Sequence, residues 1–326
     1  MNVLVLGDRE RTKKFLPDLP IVKESRITVI PIDTPEEGVI EAGADADAVI
    51  VDAITPFTAN EMSHMPQLKL VHSEGVAFNR IDVSYAKEHG IYVCNQKGAN
   101  AAAVAEHTVM LMLALLRSVI PGYQNVLRGK QIETKSWLML HGISELSELK
   151  VGLVGFGAIA QETARLLIPF GPGVYYTCRT PKDEKTEEKY HAHYLPQKEL
   201  LAQCDIISIH VPVTPETEGM CDASFFGQMK NGSYFINTAR GEIVGNAALK
   251  DALLAGKIIG AGLDTVAPEP VQEDHMLLHL PEEIQRRVII TPHIAGVTTG
   301  FFRRAHRTIW ENIQRVKNGE EPVNQV

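Results

Sequence analysis

The sequence predicts an α/β protein with two domains, each built on a parallel β-sheet. Three observations support this prediction. The chain has 326 residues, which is long enough for two domains of ordinary size. Short runs rich in β-branched residues alternate with segments of helical periodicity in both halves of the chain. Most of these runs are apolar on both faces, as is typical of strands in a sheet that helices cover on both sides.

The composition excludes some classes of protein and partner. Apolar residues make up 44% and charged residues 22% of the chain, as in a globular protein. The formal net charge is −8 with both signs mixed along the sequence, so we expect no nucleic-acid partner, because nonspecific binding requires a basic face. The cysteines lack the C-x-x-C spacing of zinc and dithiol sites, which predicts no metal and reduced thiols in a cytoplasmic protein: Cys94, Cys178, Cys204 and Cys221.

Two apolar segments resemble membrane signals without fitting them. The N-terminal MNVLVLGDRE has no basic residue before its short apolar run, so we expect a strand and not a signal peptide. Residues 101–120 are strongly apolar, but Glu106, His107 and Arg117 interrupt them. The uncharged run is shorter than the ~20 residues that a bilayer requires. We therefore predict a buried or interface helix there, and no membrane partner.

The first domain is predicted from five strand-like runs near the N-terminus. Their sequences are NVLVLG, ITVIPI, AVIVDA, LKLVHSEG and IYVCNQ, and helix-length segments separate them. The tail, FFRRAHRTIWENIQRVKNGE, has apolar residues at helical spacing and is expected to return to this domain. We therefore place a discontinuous substrate (catalytic) domain at residues 1–99 plus 300–326.

Residues 100–299 form the predicted dinucleotide-binding domain. A long apolar helix is followed by a predicted linker, GKQIETKSWLMLHGISELSELK. Six predicted strands come next, with the sequences VGLVGFG, GVYYTCR, CDIISIHV, GSYFINTA, IIGAGLDT and VIITPHIA. Strands with helices between most of them match a doubly wound sheet of the Rossmann type. The predicted fold class is thus α/β, with two Rossmann-like or flavodoxin-like domains.

The segment VGLVGFGAIA carries a pattern for binding a dinucleotide. Gly155, Gly157 and Ala160 match G-x-G-x-x-A between a strand and a helix. The first glycine allows the tight turn, the second lets the backbone approach the pyrophosphate, and the alanine lets the helix pack closely. The N-terminus of that helix offers N–H groups and a partial positive charge to the phosphates. Such turns also occur for packing alone, but the six-strand context favours a cofactor.

The end of the second strand in this domain predicts which cofactor binds. An NAD site usually has a carboxylate there for the ribose hydroxyls, and that carboxylate repels the extra phosphate of NADP. Here the position holds Cys178, followed by Arg179 and Thr180, with Lys182 just beyond. The sequence therefore predicts NADP. The alternative is that Arg179 stacks on adenine or faces water while NAD binds through other contacts.

Three polar residues follow strands, at the edge where an open parallel sheet binds its ligands. Arg240 follows YFINTA and His293 follows VIITP, while Glu269 lies in the turn after IIGAGLD. A guanidinium can hold a carboxylate in a two-point fork, an imidazole can transfer a proton near neutral pH, and a Glu can orient that imidazole. Taken singly, each has another explanation: a loop bridge, a surface acid and a buried imidazole, respectively. Together they predict catalysis on a substrate that has both a carboxylate and a carbonyl group.

The order and spacing of these motifs resemble the D-isomer-specific 2-hydroxyacid dehydrogenase family over nearly the whole chain. The matching segments are VGLVGFGAIA, CDIISIHVPVTPETEG, MKNGSYFINTARGEIV, AGLDTVAPEP and TPHIAGVT, together with SEGVAFNRID and NAAAVAEHTVMLMLALLR in the first half. The resemblance implies that Arg240 binds the substrate carboxylate, that His293 is the catalytic acid and base, and that Glu269 pairs with His293.

The resemblance implies further site residues and an assembly. Asp264 would hold the nicotinamide carboxamide, and N–H groups near Gly75 and Val76 would bind the substrate carboxylate. Members of the family are usually homodimers formed through their nucleotide domains. Two departures from the family pattern stand in the substrate loop: Ala77 replaces a common glycine, and Glu74 is close enough to repel some acids.

The resemblance also implies an activity. The Arg-Thr pair beside Cys178 is similar to that of the NADP-using glyoxylate and hydroxypyruvate reductases, so we expect NADPH to reduce a small 2-oxoacid to the D-2-hydroxyacid. One alternative is a nucleotide-sensing protein, similar to corepressors of this fold, with vestigial turnover. Formate dehydrogenase is another, but a larger first domain would be expected there. Trp137, Met139 and His141 either line a pocket or belong to a core or interface.

Overall fold

The computed structural model describes residues 1–326 and has the predicted α/β class. The strands are β1 (Asn2–Leu6), β2 (Arg26–Ile30), β3 (Ala48–Val51), β4 (Leu70–Ser73), β5 (Tyr92–Cys94), β6 (Lys150–Val154), β7 (Gly173–Thr177), β8 (Ala192–Tyr194), β9 (Ile206–Ile209), β10 (Ser233–Asn237), β11 (Ile258–Leu263) and β12 (Val288–Ile290). The helices are α1 (Arg9–Phe15), α2 (Pro20–Lys23), α3 (Glu36–Gly43), α4 (Ala59–Ser63), α5 (Val83–Glu88), α6 (Ala101–Leu116), α7 (Val119–Leu127), α8 (Gln131–His141), α9 (Ala158–Leu167), α10 (Glu184–Tyr190), α11 (Gln197–Gln203), α12 (Ala223–Gln228), α13 (Asn246–Leu254), α14 (Glu282–Gln285) and α15 (Thr299–Lys317).

The chain divides into two compact units. The first unit consists of Met1–Asn100 and Val297–Val326, and the second consists of Ala101–Gly296. The limits inferred from the sequence were 1–99 plus 300–326 and 100–299, so the two descriptions differ by at most three residues at any limit.

The first unit contains a five-stranded parallel sheet in the order β2-β1-β3-β4-β5, which is the flavodoxin-like order. Side chains alternate between its faces because successive residues of a strand point in opposite directions. Val3 and Val5 pack on one face with α15, whereas Leu4 and Leu6 pack on the other. Trp310 of α15 is fully buried on that first face, which explains why the C-terminal helix belongs to the N-terminal unit.

The second unit contains a seven-stranded parallel sheet in the order β12-β11-β10-β9-β6-β7-β8. This is a doubly wound arrangement in which the strand order reverses between β6 and β9, the point where ligands bind in such folds. The sequence predicted six strands and missed β8. That strand has only three residues, Ala192–Tyr194, and follows the highly charged α10, so it carries little of the apolar pattern that identifies a strand.

The predicted linker before the second sheet is wrong, because much of it is helical. Helix α8 spans Gln131–His141 and contains no buried residue. Its apolar side chains are instead exposed, with Trp137 at 56%, Met139 at 76% and Leu140 at 81%. A helix without a buried face lacks the one-sided apolar stripe by which helices are recognised in a sequence.

No single helix is both long enough and apolar enough to cross a bilayer. Taken together, helices α6 and α7 have the length and composition of a membrane span, but the chain bends by 58° between them.

We expect Trp310→Ala to destabilise the first unit by about 3–5 kcal/mol, because it leaves a large cavity between α15 and the sheet. Unfolding in denaturant, followed by circular dichroism, measures this loss. Arg303→Ala is the matched control, since Arg303 is exposed on the same helix. A Trp310→Ala protein as stable as the Arg303→Ala protein would show that α15 does not contribute to this core.

Candidate active site

The glycine turn after β6 has a shape that only glycine permits at its first position. Gly155 has φ +96°, a backbone conformation that other residues rarely adopt. A Cβ atom added there would lie 2.5 Å from the carbonyl oxygen of His210, at the end of β9. The Gly155 N–H donates to the carbonyl of Thr177, at the end of β7, at 2.8 Å. The turn is therefore held tightly against the strands on both sides of β6.

The start of α9 fits the pyrophosphate of a dinucleotide. Gly157 precedes the helix, and no side chain caps the first N–H groups. A Cβ atom at Gly157 would meet nothing within 4 Å, so the space in front of the helix is open. Ala160 is fully buried against the neighbouring core, where its small side chain lets the helix approach the sheet. Free N–H groups facing open space suit an anionic ligand.

The loop after β7 carries the residues predicted to select the cofactor. Arg179 and Thr180 are exposed, whereas Cys178 is half-buried. The Cys178 thiol donates to the carbonyl of Thr180 at 3.0 Å. Burial raises the pKa of this thiol, so it is neutral at pH 7. The loop thus presents an arginine and a hydroxyl, and its cysteine brings no negative charge.

Asn237, at the end of β10, fixes the loop that carries Arg240. Its side-chain amide donates to the Arg240 carbonyl at 2.9 Å, and its side-chain oxygen accepts the Ala239 N–H at 3.0 Å. The next residue, Gly241, touches the loop after β11, because a Cβ atom there would lie only 2.2 Å from the Ala267 nitrogen. A glycine at 241 is therefore required for the loops of Arg240 and Glu269 to meet.

Glu269 and His293 form the predicted pair. Nδ1 of His293 lies 3.0 Å from each carboxylate oxygen of Glu269. His293 has φ +55°, which is unusual for a residue other than glycine and indicates local strain at this position. Its N–H donates to the carbonyls of Asp264 and Thr291, both at 2.9 Å. With Nδ1 bound to the carboxylate, Nε2 is the nitrogen directed away from Glu269 and available for proton transfer.

Asp264 holds the loop of His293 in place. Its Oδ1 accepts from the Thr291 hydroxyl at 2.5 Å and from the Ile294 N–H at 3.0 Å. Its Oδ2 accepts from the Ala295 N–H at 2.8 Å. The side chain is 1% exposed. Both oxygens are thus engaged within the second unit, so a contact with a nicotinamide amide would have to share one of these acceptors.

His107 lies within the candidate site, although nothing in its local sequence marks it as a functional residue. Its Nε2 lies 3.0 Å from the Thr291 hydroxyl and 3.5 Å from Asp264 Oδ1. Burial lowers the pKa of His107, while the nearby Asp264 opposes that shift. The available signal is the one imidazole of α6, which stands beside Glu106 in a largely apolar helix. In the sequence it interrupts a membrane-like run, and that pattern does not point to a partner for a strand-end acid.

Gly75 and Val76 follow β4 in the first unit. A Cβ atom at Gly75 would lie 2.6 Å from Cβ of Ala53, so glycine lets the loops after β3 and β4 approach each other. The Gly75 N–H donates to the Ser73 hydroxyl at 3.2 Å, and the Asn95 amide donates to the Val76 carbonyl at 2.8 Å. This loop is therefore fixed by side chains of its own unit.

Glu74 does not project into solvent beside this loop, contrary to the expectation that it repels substrate acids. It is 7% exposed, and its carboxylate binds two partners. Nε2 of His306 lies 2.8 Å from one oxygen, and the Arg11 guanidinium lies 2.6 Å from the other. Arg11 also pairs with Asp52, which follows β3, at 2.6 Å. Glu74 thus joins α1, β4 and α15 and is occupied by these contacts.

The second unit brings most of the predicted residues to one edge of its sheet. Arg240, Glu269 and His293 follow β10, β11 and β12, which are neighbours in the sheet. The glycine turn and the Arg179 loop follow β6 and β7, across the point where the strand order reverses. One edge therefore combines a nucleotide-type turn, a cationic loop and a carboxylate-bound imidazole, a set suited to proton transfer coupled to a redox cofactor.

Known proteins share these features. Residues 109–295 match the model of the D-isomer specific 2-hydroxyacid dehydrogenase, NAD binding domain. A glyoxylate reductase of Korarchaeum cryptofilum is 32% identical over 88% of this chain and 85% of its own length. A hydroxypyruvate reductase of Blautia hydrogenotrophica is 32% identical over 90% of this chain and 88% of its own.

A solved structure supports the same relationship. The NAD-complexed D-isomer specific 2-hydroxyacid dehydrogenase of Lactobacillus delbrueckii ssp. bulgaricus is 25% identical, with a TM-score of 0.84 over 100% of both chains. Similarity of this extent covers both units and includes the nucleotide-binding sheet. The chain belongs to the D-isomer specific 2-hydroxyacid dehydrogenase family and is an oxidoreductase with the NAD-binding domain of that family.

Proposed function

We propose that this enzyme reduces a small 2-oxoacid of the glyoxylate and hydroxypyruvate type to the D-2-hydroxyacid, with NADPH as its preferred reductant. The observation that carries the proposal is the Glu269–His293 pair, at 3.0 Å, in the unit that also holds the glycine turn. An imidazole oriented by a carboxylate favours a reaction with proton transfer over nucleotide sensing alone. The names of the two reductase relatives support the substrate class.

Each of the three candidate catalytic residues in the second unit has a proposed role in the reduction. The cofactor, when bound, supplies hydride to the keto carbon. His293 donates a proton from Nε2 to the carbonyl oxygen, so that hydride and proton together convert the ketone to an alcohol. Glu269 fixes the ring orientation through Nδ1 and stabilises the imidazolium that donates the proton. Arg240 holds the substrate carboxylate through its fork of N–H groups.

The remaining proposed contacts concern the cofactor and the substrate loop. The N-terminus of α9, with Gly155, Gly157 and Ala160 forming the turn, would hold the pyrophosphate. Asp264 would contact the nicotinamide carboxamide only by sharing an acceptor, so we assign it mainly to the support of His293. In the first unit, Gly75 and Val76 are the proposed backbone contacts of the substrate carboxylate.

The preference for NADPH rests on the charge of the β7 loop. A 2′-phosphate carries negative charge and accepts hydrogen bonds, and Arg179 and Thr180 are exposed partners for it. A carboxylate at position 178 would repel that phosphate, but the residue there is a neutral thiol. The same loop lacks the usual acceptor for the ribose hydroxyls of NAD. Both effects favour NADPH.

We also propose that the enzyme is a homodimer formed through α7 and α8. These adjoining helices contain no buried residue and expose a row of large apolar side chains: Val119, Ile120, Tyr123, Val126, Leu127, Ile132, Trp137, Met139 and Leu140. Large exposed apolar side chains on neighbouring helices are typical of an interface. A second copy of the chain supplies an equally apolar surface, as a twofold interface requires.

A cytoplasmic location is part of the proposal. All four cysteines are free, and three of them are buried. Free thiols persist in a reducing compartment.

His293→Ala should lower kcat for glyoxylate or hydroxypyruvate by about 10²- to 10⁴-fold, because the proton donor is lost. The dissociation constant of the cofactor should not change, since the glycine turn and the β7 loop are intact. Steady-state kinetics and cofactor titration measure the two effects. His279→Ala removes an exposed imidazole of the same unit and serves as the control. Near-normal turnover by His293→Ala would remove His293 from the mechanism.

Cys178→Asp should shift the ratio of kcat/KM for NADPH over NADH toward NADH by about tenfold or more, which corresponds to roughly 1.4 kcal/mol. The introduced carboxylate repels the 2′-phosphate and accepts from the ribose hydroxyls. Cys178→Asn is the matched control, because asparagine has the shape of aspartate without its charge. An equal shift in both variants would contradict an electrostatic origin of the preference.

Leu140→Asp should convert a dimer into a monomer, because it places a charge within the apolar surface of α8. Light scattering coupled to size exclusion should give twice the chain mass of 35.9 kDa for the wild type and the single chain mass for the variant. Gln131→Asp adds the same charge to the first turn of the same helix, on the side opposite Leu140, and should remain dimeric. A monomeric wild type would refute the proposed assembly.

A further inference from the structure

We propose that Tyr176 is a positioning residue for cofactor selection: it holds the β7 loop in the conformation that presents Arg179 and Thr180 to a 2′-phosphate. This inference rests on the proposed preference for NADPH and deepens it. Tyr176 lies on β7, two residues before Cys178, and is fully buried. Its hydroxyl and ring are engaged by Lys182, Glu187 and Phe156, so its proposed effect is transmitted through the loop.

The Tyr176 hydroxyl fixes the far end of the loop. It accepts the Lys182 N–H at 2.8 Å and donates to a carboxylate oxygen of Glu187, also at 2.8 Å. The loop leaves the sheet at Thr177 and returns to Tyr176 at Lys182, so one side chain closes it. The same Glu187 oxygen accepts the Tyr194 N–H of β8 at 3.2 Å. The closed loop is therefore tied to both α10 and β8.

The Tyr176 ring connects this loop to the glycine turn. It stacks on Phe156, which lies between Gly155 and Gly157, with a centroid distance of 4.0 Å and an interplanar angle of 21°. Phe156 in turn meets the edge of Tyr190 in α10, at 6.0 Å. The turn proposed for the pyrophosphate thus packs on the ring of Tyr176, and the loop proposed for the 2′-phosphate is hydrogen-bonded to its hydroxyl.

This anchor is constant over the working pH range. Burial raises the pKa of Tyr176 to about 12, so the hydroxyl remains a neutral donor and acceptor. Arg179 and Thr180 are exposed, and the hydrogen bond within their segment comes from Cys178. An exposed loop loses conformational entropy when it binds a ligand, and a loop already closed by Tyr176 loses less. This smaller loss of entropy favours NADPH, because the proposed contacts of its extra phosphate are in the loop.

Tyr176→Phe tests the anchor because it removes the hydroxyl and keeps the ring on Phe156. The dissociation constants of NADPH and NADH are measured by titration of reduced-nicotinamide fluorescence. We expect that of NADPH to rise by about 3- to 10-fold, the range for loss of the hydrogen bond from the Lys182 N–H that closes the loop, and that of NADH to stay the same. Hydrogen exchange of the Lys182 amide, measured without cofactor, should become faster.

Two further variants separate positioning from general stability. Tyr194→Phe removes a neighbouring tyrosine hydroxyl, and because the rings of Tyr194 and Tyr176 meet edge to face, at 5.7 Å, it disturbs the same core. It should change neither dissociation constant. Glu187→Gln keeps an oxygen that can accept from Tyr176 and should retain most of the NADPH affinity.

The inference is overturned if Tyr176→Phe leaves the ratio of the NADPH and NADH affinities unchanged, whether or not the exchange of the Lys182 amide becomes faster. The proposed cofactor preference has a separate test in the wild type. A wild type that binds NADH more tightly would refute that preference, while the change in ratio caused by Tyr176→Phe would still decide whether this residue governs the loop.

Discussion

Both oxygens of the Asp264 carboxylate are bound within the second unit, and the position of His293 depends on those bonds. The carboxylate lies at the end of β11 and accepts from Thr291, Ile294 and Ala295, which flank His293 after β12. A charge at 1% exposure is stable only when its hydrogen bonds are satisfied, so the loop and the acid stabilise each other. This network holds the backbone of His293 in its left-handed conformation, and in that conformation Nδ1 of the ring lies against Glu269.

Parallel strands bring the other functional groups to the same edge. Because β6, β7 and β9 to β12 run in one direction, every loop at their carboxyl ends lies on one side of the sheet. Glycines then set how closely these loops approach: Gly155 against the end of β9, and Gly241 against Ala267. The proposed chemistry thus depends on backbone contacts that no other residue permits at these two positions, as much as on the polar side chains.

The sequence predicted the features that have a local signature, and the structure confirmed the fold class. Strand periodicity gave the parallel sheets, and β8 was missed because three residues carry too little pattern. Helix α8 falls within the predicted linker because its sequence lacks the one-sided apolar stripe of a helix that packs on a core. The pairing of Glu269 with His293 was expected from the family resemblance. The contacts of Glu74 with Arg11 and His306, and of His107 with Thr291, join residues distant in sequence, and no local pattern encodes such contacts.

The most direct test of the account is the steady-state reduction of glyoxylate and hydroxypyruvate by the wild-type enzyme, with NADPH and with NADH, compared as kcat/KM. We predict turnover of at least one of these acids, with NADPH favoured by about tenfold or more, or roughly 1.4 kcal/mol. Preference for NADH would contradict the role assigned to Arg179 and Thr180. Absence of turnover with every pair would contradict the proposed substrate class.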